Sequence, residues 1–169
     1  GGFDVSGVRV IDLANPAGPG LGGAVAMGWG DALDVAISGT HAYVANEYSG
    51  LQVIDIADPA NPQLVGGVDT PGWAVGVAIS GTHAYVADDD SGLQVIDIAN
   101  PTSPQLVGGV DMPAPVHDVD LSGNSAYVVD ADSGLQVIDL TNPASPPLVA
   151  AVPTPAQSSR VLVSGHPAY

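Results

Sequence analysis

The sequence predicts an all-β fold built from consecutive repeats of about 42 residues. One repeated phrase, Gly-Leu-Gln-Val-Ile-Asp, begins at Gly50, Gly92 and Gly134, and a weaker copy begins at Gly7. A second phrase, Ser-Gly-X-X-Ala-Tyr, keeps the same spacing and begins at Ser38, Ser80, Ser122 and Ser164. A fixed period in this range indicates a repeat architecture in which each repeat is one supersecondary unit.

Apolar residues within one repeat alternate with a period of two, which is typical of strands. The central repeat contains four such segments, Val75–Ser80, Ala84–Asp88, Leu93–Ile98 and Gln105–Val110. These segments are rich in valine and isoleucine, which pack well on a pleated surface. No segment carries an apolar stripe with the period of a helix, so we predict four strands and no helix in each repeat.

The segments between the predicted strands have the composition of turns. Ser80-Gly81-Thr82 fits a tight hairpin in which glycine adopts a positive φ. Asp88–Gly92 closes the second hairpin, and Asn100–Pro104 closes the third with an Asx side chain and two prolines. Four antiparallel strands in a repeat of this length correspond to one blade of a β-propeller. We therefore predict a propeller of about four blades, either alone or as part of a larger propeller or assembly.

Three repeated phrases resemble the LVIVD repeat of bacterial and archaeal β-propeller proteins. They are the heptapeptide Gly92–Ile98, the turn and strand Asp58–Gly67, and the strand His83–Asp88. The resemblance spans the whole chain and implies the propeller fold. It also implies an exported or surface protein, in agreement with a composition that is rich in aspartate and free of lysine. It implies no particular activity, because propellers carry many unrelated functions.

The repeat frame predicts one domain over residues 1–169 with a half-blade at each end. The chain starts shortly before a third strand at Gly7–Leu13 and stops at the beginning of a second strand at Ala168–Tyr169, as expected of a piece of a longer protein. The two halves are complementary. The two half-blades are simply truncated, or they meet between chains, or they meet within one chain and close a four-bladed ring. A head-to-tail match between chains gives a larger ring or a filament. We expect unpaired strand edges at Val8–Leu13 and Val161–Tyr169, which favour pairing.

The near-identical strands predict a shared core between blades. The aliphatic residues expected to be buried are Val53, Ile54, Val95, Ile96, Val137 and Ile138. The tyrosines expected at equivalent positions between blades are Tyr43, Tyr85 and Tyr127.

The charge of the chain excludes several classes of partner. Eighteen acidic residues stand against two arginines, which gives a formal net charge of −16. Such a surface repels phosphate backbones, so we expect no nucleic-acid partner, whereas cations and basic partners are attracted. The chain has no cysteine and therefore no disulfide or thiolate metal site. No apolar run is long enough to predict a membrane span.

The segments that lead into each first strand differ most between repeats, and in a propeller they lie on one face beside the central channel. The candidate ligand-binding residues on this face are Trp29, Asp31, Asp34, Trp73, His117, Asp118 and Arg160. Trp29 and Trp73 fit either stacking on a sugar or partner side chain or capping of a blade junction. His117 beside Asp118 fits an acid–base pair, a metal ligand or a structural histidine.

The hairpins between second and third strands open on the same face and are acidic. Their carboxylates, as candidate calcium ligands, are those of Asp88, Asp89, Asp90, Asp130 and Asp132. Carboxylate oxygens suit calcium, but the spacing matches no defined calcium loop. We therefore expect solvated turns that bind divalent cations weakly, and no other cofactor.

No phosphate-binding glycine loop, nucleophile elbow or zinc-ligand spacing is present in the sequence. We expect a non-enzymatic, secreted or cell-surface structural and interaction module that self-associates into oligomers or filaments, or binds other surface proteins. One alternative is a ligand-binding propeller that recognises a cation or a glycan on its acidic face. A second alternative is a fragment of an enzyme whose catalytic residues lie outside this chain.

Overall fold

The structure, a computed structural model, describes residues 7–12, 20–154 and 158–164. These residues form fourteen β-strands and no helix. Two strands make an N-terminal half-blade, β1 (Gly7–Asp12) and β2 (Gly20–Ala26). No helix long and apolar enough to cross a membrane occurs in the described part of the chain.

Twelve further strands form three four-stranded antiparallel sheets, which we call blades 1, 2 and 3. Blade 1 consists of β3 (Asp34–Ser38), β4 (His41–Ala45), β5 (Leu51–Asp55) and β6 (Gln63–Val68). Blade 2 consists of β7 (Gly76–Ser80), β8 (His83–Ala87), β9 (Leu93–Asp97) and β10 (Gln105–Val110). Blade 3 consists of β11 (Val116–Ser122), β12 (Ser125–Asp130), β13 (Gly134–Asp139) and β14 (Leu148–Val152). The predicted fold class and the four strands of the central repeat are confirmed.

The blades pack face to face through apolar side chains. Tyr43 and Val53 of blade 1 pack with Val86 and Ile96 of blade 2. Tyr85 and Val95 of blade 2 make the same contacts with blade 3, and the half-blade covers the other face of blade 1. Removal of these aliphatic faces from water is the main source of stability at each junction.

The predicted core is confirmed at seven of the nine positions and is wrong at Tyr127 and Val137. These two residues are only half-buried. They lie on the face of blade 3 that corresponds to the Tyr43 face of blade 1 and the Tyr85 face of blade 2. Among the described residues no further four-stranded blade covers that face, so the same side chains meet a different environment.

The first strands lie side by side at the centre of the fold, with β7 between β3 and β11. The hairpins between second and third strands reach the segments that connect blades, as shown by the bridge between Glu47 and Ala74. The expectation that these two kinds of loop share one face is therefore confirmed. On the opposite face the turn after the first strand contacts the end of the third strand, where the Ile98 N–H donates to the Thr82 carbonyl at 2.9 Å.

The fourth strands contact the turn of the following blade through glycine. The N–H of Gly23 donates to the carbonyl of Pro59 at 2.8 Å. A Cβ atom at Gly66 would lie 2.3 Å from the carbonyl oxygen of Pro101, and one at Gly108 would lie 2.3 Å from that of Pro143. Real Cβ atoms do not approach backbone oxygens this closely, so the contact requires glycine.

Candidate functional site

Carboxylates on the first strands connect neighbouring blades beside the central axis. Asp34 Oδ2 accepts the N–H of Val77 at 2.9 Å, and Asp118 Oδ2 accepts the N–H of Val161 at 2.9 Å. In both cases the donor lies 43 residues ahead in the chain. Asp120 Oδ2 accepts the N–H of Val163 at 2.6 Å with the same offset. These bonds satisfy inner-strand amides that would otherwise lack a partner.

Gly76 occupies in blade 2 the position that Asp34 has in blade 1 and Asp118 in blade 3. A Cβ atom there would lie 3.3 Å from both Cα and Oδ1 of Asp118, which is tighter than nearly all real contacts. The Val119 N–H, which corresponds to that of Val77, is accepted at 3.0 Å by Oδ1 of Asp118 itself. Asp118 therefore accepts hydrogen bonds from two backbone amides, because Gly76 has no carboxylate that could accept the one from Val119.

Burial raises the pKa of the Asp118 carboxyl above its ordinary value. Hydrogen bonds from the Val161 and Val119 amides and the charge of Arg160 act in the opposite direction, while the charge of Asp34 raises this pKa further. Three predicted site residues, Asp34, Asp118 and Arg160, are thus close enough to interact electrostatically. The hydrogen bonds of Asp34 and Asp118 are structural, because they join each blade to the segment that follows it.

His117 and Asp118 are neighbours in sequence, but their side chains have different surroundings. The His117 side chain is exposed, and its charge lowers the pKa of Asp89, although burial gives that pKa a net rise. The carboxylate of Asp118 instead accepts two backbone amides. The roles considered for this pair, an acid–base pair, a metal ligand or a structural histidine, stay predictions, and His117 lies close enough to Asp89 to interact with it electrostatically.

Three buried polar residues occupy one position at the end of the second strand of each blade: Asn46, Asp88 and Asp130. Asp88 accepts the Thr70 hydroxyl and, at 2.8 Å, the N–H of Gly72, so it fastens the segment between blades 1 and 2. Asp130 accepts the amides of its own hairpin, including that of Gly134 at 3.1 Å.

The expectation of solvated turns is therefore wrong for Asp88 and Asp130, because backbone and side-chain donors fold around both carboxylates. Burial raises the pKa of Asp88, while its hydrogen bonds act against that rise. Asp90 and Asp132 are exposed as expected, and Asp89 is half-buried. Over residues 7–12, 20–154 and 158–164, no three histidine, cysteine or acidic side chains are grouped to hold a metal ion.

The hairpin Asn46–Gly50 of blade 1 is fastened to the start of blade 2 by its backbone. Glu47 has a positive φ of 36°, and Asp89, its counterpart in blade 2, has one of 45°. The Glu47 N–H donates to the Ala74 carbonyl and the Ala74 N–H donates to the Glu47 carbonyl, both at 3.1 Å. This conformation is unfavourable for residues other than glycine, and here it turns the backbone toward the next blade.

Tyr48 and Trp73 face each other beside this bridge. Their ring centroids are 5.2 Å apart with an interplanar angle of 67°, an edge-to-face arrangement. Tyr48 is 60% exposed and Trp73 is 48% exposed. The hairpin also contacts the two remaining predicted residues: the Trp29 carbonyl accepts the Ser49 hydroxyl at 2.6 Å, and the Asp31 N–H donates to Glu47 Oε2 at 3.3 Å.

Sequence reasoning missed Tyr48 as a site residue. It stands where the other repeats have Asp90 and Asp132, so comparison of the copies could have identified it as an aromatic exception.

Comparisons with known proteins agree with this architecture. Residues 29–70, 71–112 and 115–154 each match a family model described as the LVIVD repeat. No curated protein matches the chain.

Among solved structures, the crystal structure of the computationally designed Ika4 protein matches with a TM-score of 0.70 and 12% identity, over 84% of this chain and 85% of that one. The computationally designed Ika8 protein matches with a TM-score of 0.67 and 13% identity, over 82% of this chain. The chain spans 42% of the length of Ika8. At these identities the likeness concerns the fold alone.

Proposed function

We propose that this chain, which belongs to the LVIVD repeat family, is a structural and interaction module. Its partner in this proposal is a second copy of itself, bound head to tail. The observation that carries the proposal is an uncovered inner strand. Val35 on β3 is 49% exposed, whereas the corresponding Val77 and Val119 are 5% and 4% exposed. The same side chain is buried wherever a complete blade precedes it.

The uncovered surface extends along β3. Leu33, just before β3, continues an exposed apolar stripe that Val35 and Ile37 form on this strand. In blades 2 and 3 the equivalent strand packs against the inner strands of the preceding blade. The half-blade before β3 contributes β1 and β2, which pair only with each other among the described strands. A groove bordered by Val8 and Leu33 marks the place that inner strands would fill.

The opposite end of the described chain offers a segment that could take this place. Residues 158–164 follow β11 in the way that β7 follows β3, because Asp118 holds the Val161 amide as Asp34 holds that of Val77. On a second copy this segment would cover the apolar stripe of β3 and complete the half-blade by strand addition. Repetition of such a contact gives a ring if the rotation closes and a filament if it does not.

Sedimentation velocity over a range of protein concentrations tests the proposal. The wild-type chain should form oligomers, and Val35→Asp should be monomeric with an unchanged circular dichroism spectrum, since it places a charge in the contact. Leu106→Asp on β10, a comparably exposed apolar position away from β3, is the matched control and should associate like the wild type. A wild-type chain that stays monomeric at all concentrations contradicts the proposal, as does a Val35→Asp variant that still assembles.

The proposed module is non-enzymatic and acts outside the cell or at the cell surface. A composition rich in aspartate and free of lysine supports this setting. An antibody raised against the protein should bind intact source cells or detect the protein in the culture medium. Detection only after lysis would place it inside the cell.

The exposed Tyr48–Trp73 pair favours a second candidate function, binding of a cationic side chain on the acidic face. Aromatic faces attract ammonium and guanidinium groups, and Glu47 lies beside the pair. A lysine-rich peptide should change tryptophan fluorescence on titration, and Trp73→Ala should remove both binding and this change, as measured independently by calorimetry. Equal calorimetric binding by Trp73→Ala would contradict this candidate, and binding of neutral oligosaccharides instead would indicate a glycan site.

A further inference from the structure

The two arginines of this lysine-free chain both lie in segments that border the junction proposed between copies. Arg9 is on β1 of the half-blade, and Arg160 is in the segment 158–164 that would dock on β3 of a second copy. Both side chains are exposed. Two copies, each with a formal net charge of −16, repel each other as whole molecules. A local attraction between opposite charges at the contact would therefore favour this junction over other encounters.

Arg160 occupies the inner-strand position that belongs to Asp34, Gly76 and Asp118 in the three blades, since these residues recur every 42 residues. Neighbours in this series are adjacent in space, because a Cβ atom at Gly76 would lie 3.3 Å from Cα of Asp118. Arg160 follows Asp118 in the same way, because Asp118 Oδ2 accepts the N–H of Val161 at 2.9 Å. A side chain at this position therefore points toward the equivalent residue of the blade that follows.

In the head-to-tail association, the equivalent residue that follows Arg160 is Asp34 of the second copy. Asp34 is half-buried, and its Oδ2 accepts the N–H of Val77 at 2.9 Å, so this carboxylate is held in place next to the open stripe of β3. The spacing seen between Gly76 and Asp118 would bring Arg160 beside it. The guanidinium would then lie between two carboxylates, that of Asp118 in its own copy and that of Asp34 in the second copy.

We infer that Arg160 forms an ion pair with Asp34 of the second copy and thereby determines which surfaces meet in the head-to-tail contact. The inference rests on the proposed function and specifies its interface. At both junctions between blades 1, 2 and 3, the same position brings together a carboxylate and the glycine Gly76, which gives no attraction between charges. The contact between copies differs from these junctions in having opposite charges, while the apolar stripe of β3 supplies its buried area.

A double-mutant cycle in sedimentation experiments at low ionic strength tests this pair. Arg160→Gln removes the positive charge. Asp34→Asn removes the negative charge, while its amide oxygen can still accept the N–H of Val77. Each variant should raise the dissociation constant between copies by about five- to tenfold. The double variant should bind about as weakly as either single variant, because the second change removes a partner that is already lost.

Asp90→Asn is the matched control. It makes the same change of charge on the exposed hairpin of blade 2, away from both ends of the chain, and should leave the dissociation constant nearly unchanged.

Salt provides a second test, which does not depend on Asp34→Asn. Raising the NaCl concentration from about 0.05 M to about 0.5 M shortens the distance over which charges interact. The difference in dissociation constant between the wild type and Arg160→Gln should therefore shrink. A difference of the same size at both salt concentrations would contradict an ion pair.

The outcomes separate this inference from the proposed function. If the wild type and Arg160→Gln associate equally at low salt, the ion pair is refuted while head-to-tail association stands. The same conclusion follows if the effects of Arg160→Gln and Asp34→Asn multiply in the double variant, because each residue would then act without the other. If the wild type is monomeric at every concentration, the proposed association fails and the inference fails with it.

Discussion

Replacement of Gly66 by alanine tests the junction between blades 1 and 2 directly. The new Cβ atom would lie 2.3 Å from the Pro101 oxygen and 3.1 Å from two backbone atoms of Thr102. Since an ordinary contact begins near 3.4 Å, the turn at Pro101 must shift by about 1 Å or β6 must bend. Overpacking of this kind costs about 1–3 kcal/mol of unfolding free energy. For a chain of this size, that corresponds to a fall in Tm of roughly 2–12 °C.

Gly67→Ala is the matched control for this change. It lies next to Gly66 on the same strand, but the atoms nearest to the added Cβ would be those of the Gln52 side-chain amide, which can move aside if its hydrogen bond to the Ser49 carbonyl breaks. Because the intrinsic advantage of alanine over glycine in a strand offsets the loss of that hydrogen bond, this variant should lose less stability than Gly66→Ala. Urea denaturation followed by circular dichroism measures both. Equal stability of the two variants would refute the close approach of the Pro101 turn to β6.

Three further predictions follow from burial and charge. Ile96→Ala should lower the unfolding free energy by about 2–5 kcal/mol, and Val137→Ala by less, because Ile96 is fully buried and Val137 is half-buried; similar losses in urea denaturation would mean that the two faces are equally covered. Because the pKa of the Asp118 carboxyl is raised, the folded state holds its proton more tightly than the unfolded state does. The contribution of this carboxyl to the free energy of unfolding is therefore largest below the unfolded pKa of about 3.9, and it is lost as pH rises through the raised pKa. Asp118→Asn should remove that contribution, and an unchanged pH dependence of the urea midpoint would contradict the assignment. The Tm in calcium should exceed the Tm in chelator by only a few degrees, because Asp90 and Asp132 are exposed and are not grouped with other ligands among the described residues. Tight stoichiometric calcium binding in calorimetry would instead demonstrate a dedicated site.

The fold could be predicted from the sequence because the same local pattern recurs in every repeat. Period-two alternation and the turn residues located the strands of the central repeat to within about one residue of β7–β10. The sequence also predicted correctly that the variable segments and the acidic hairpins lie on one face. These features depend on local chemistry, and agreement between copies reinforces them.

The roles of individual carboxylates could not be predicted because they depend on neighbours in other blades. Asp88 and Asp90 share a turn, yet one is buried by Thr70 and Gly72 and the other is exposed. Nothing in the local sequence separates them. Comparison of the copies also could not show that Tyr127 meets a different environment from Tyr85, since the difference lies in what covers blade 3.

The constant sequence offset of the inner-strand bonds has a consequence for how such chains change in evolution. Asp34 and Asp118 both reach an amide 43 residues ahead, and the Gly66 and Gly108 contacts likewise join adjacent repeats. Every junction is therefore encoded within two consecutive repeats, and stability is a sum of nearest-neighbour contributions. Duplication or deletion of one repeat in the gene leaves the remaining junctions intact, so the number of blades can change without loss of the contacts between those that remain.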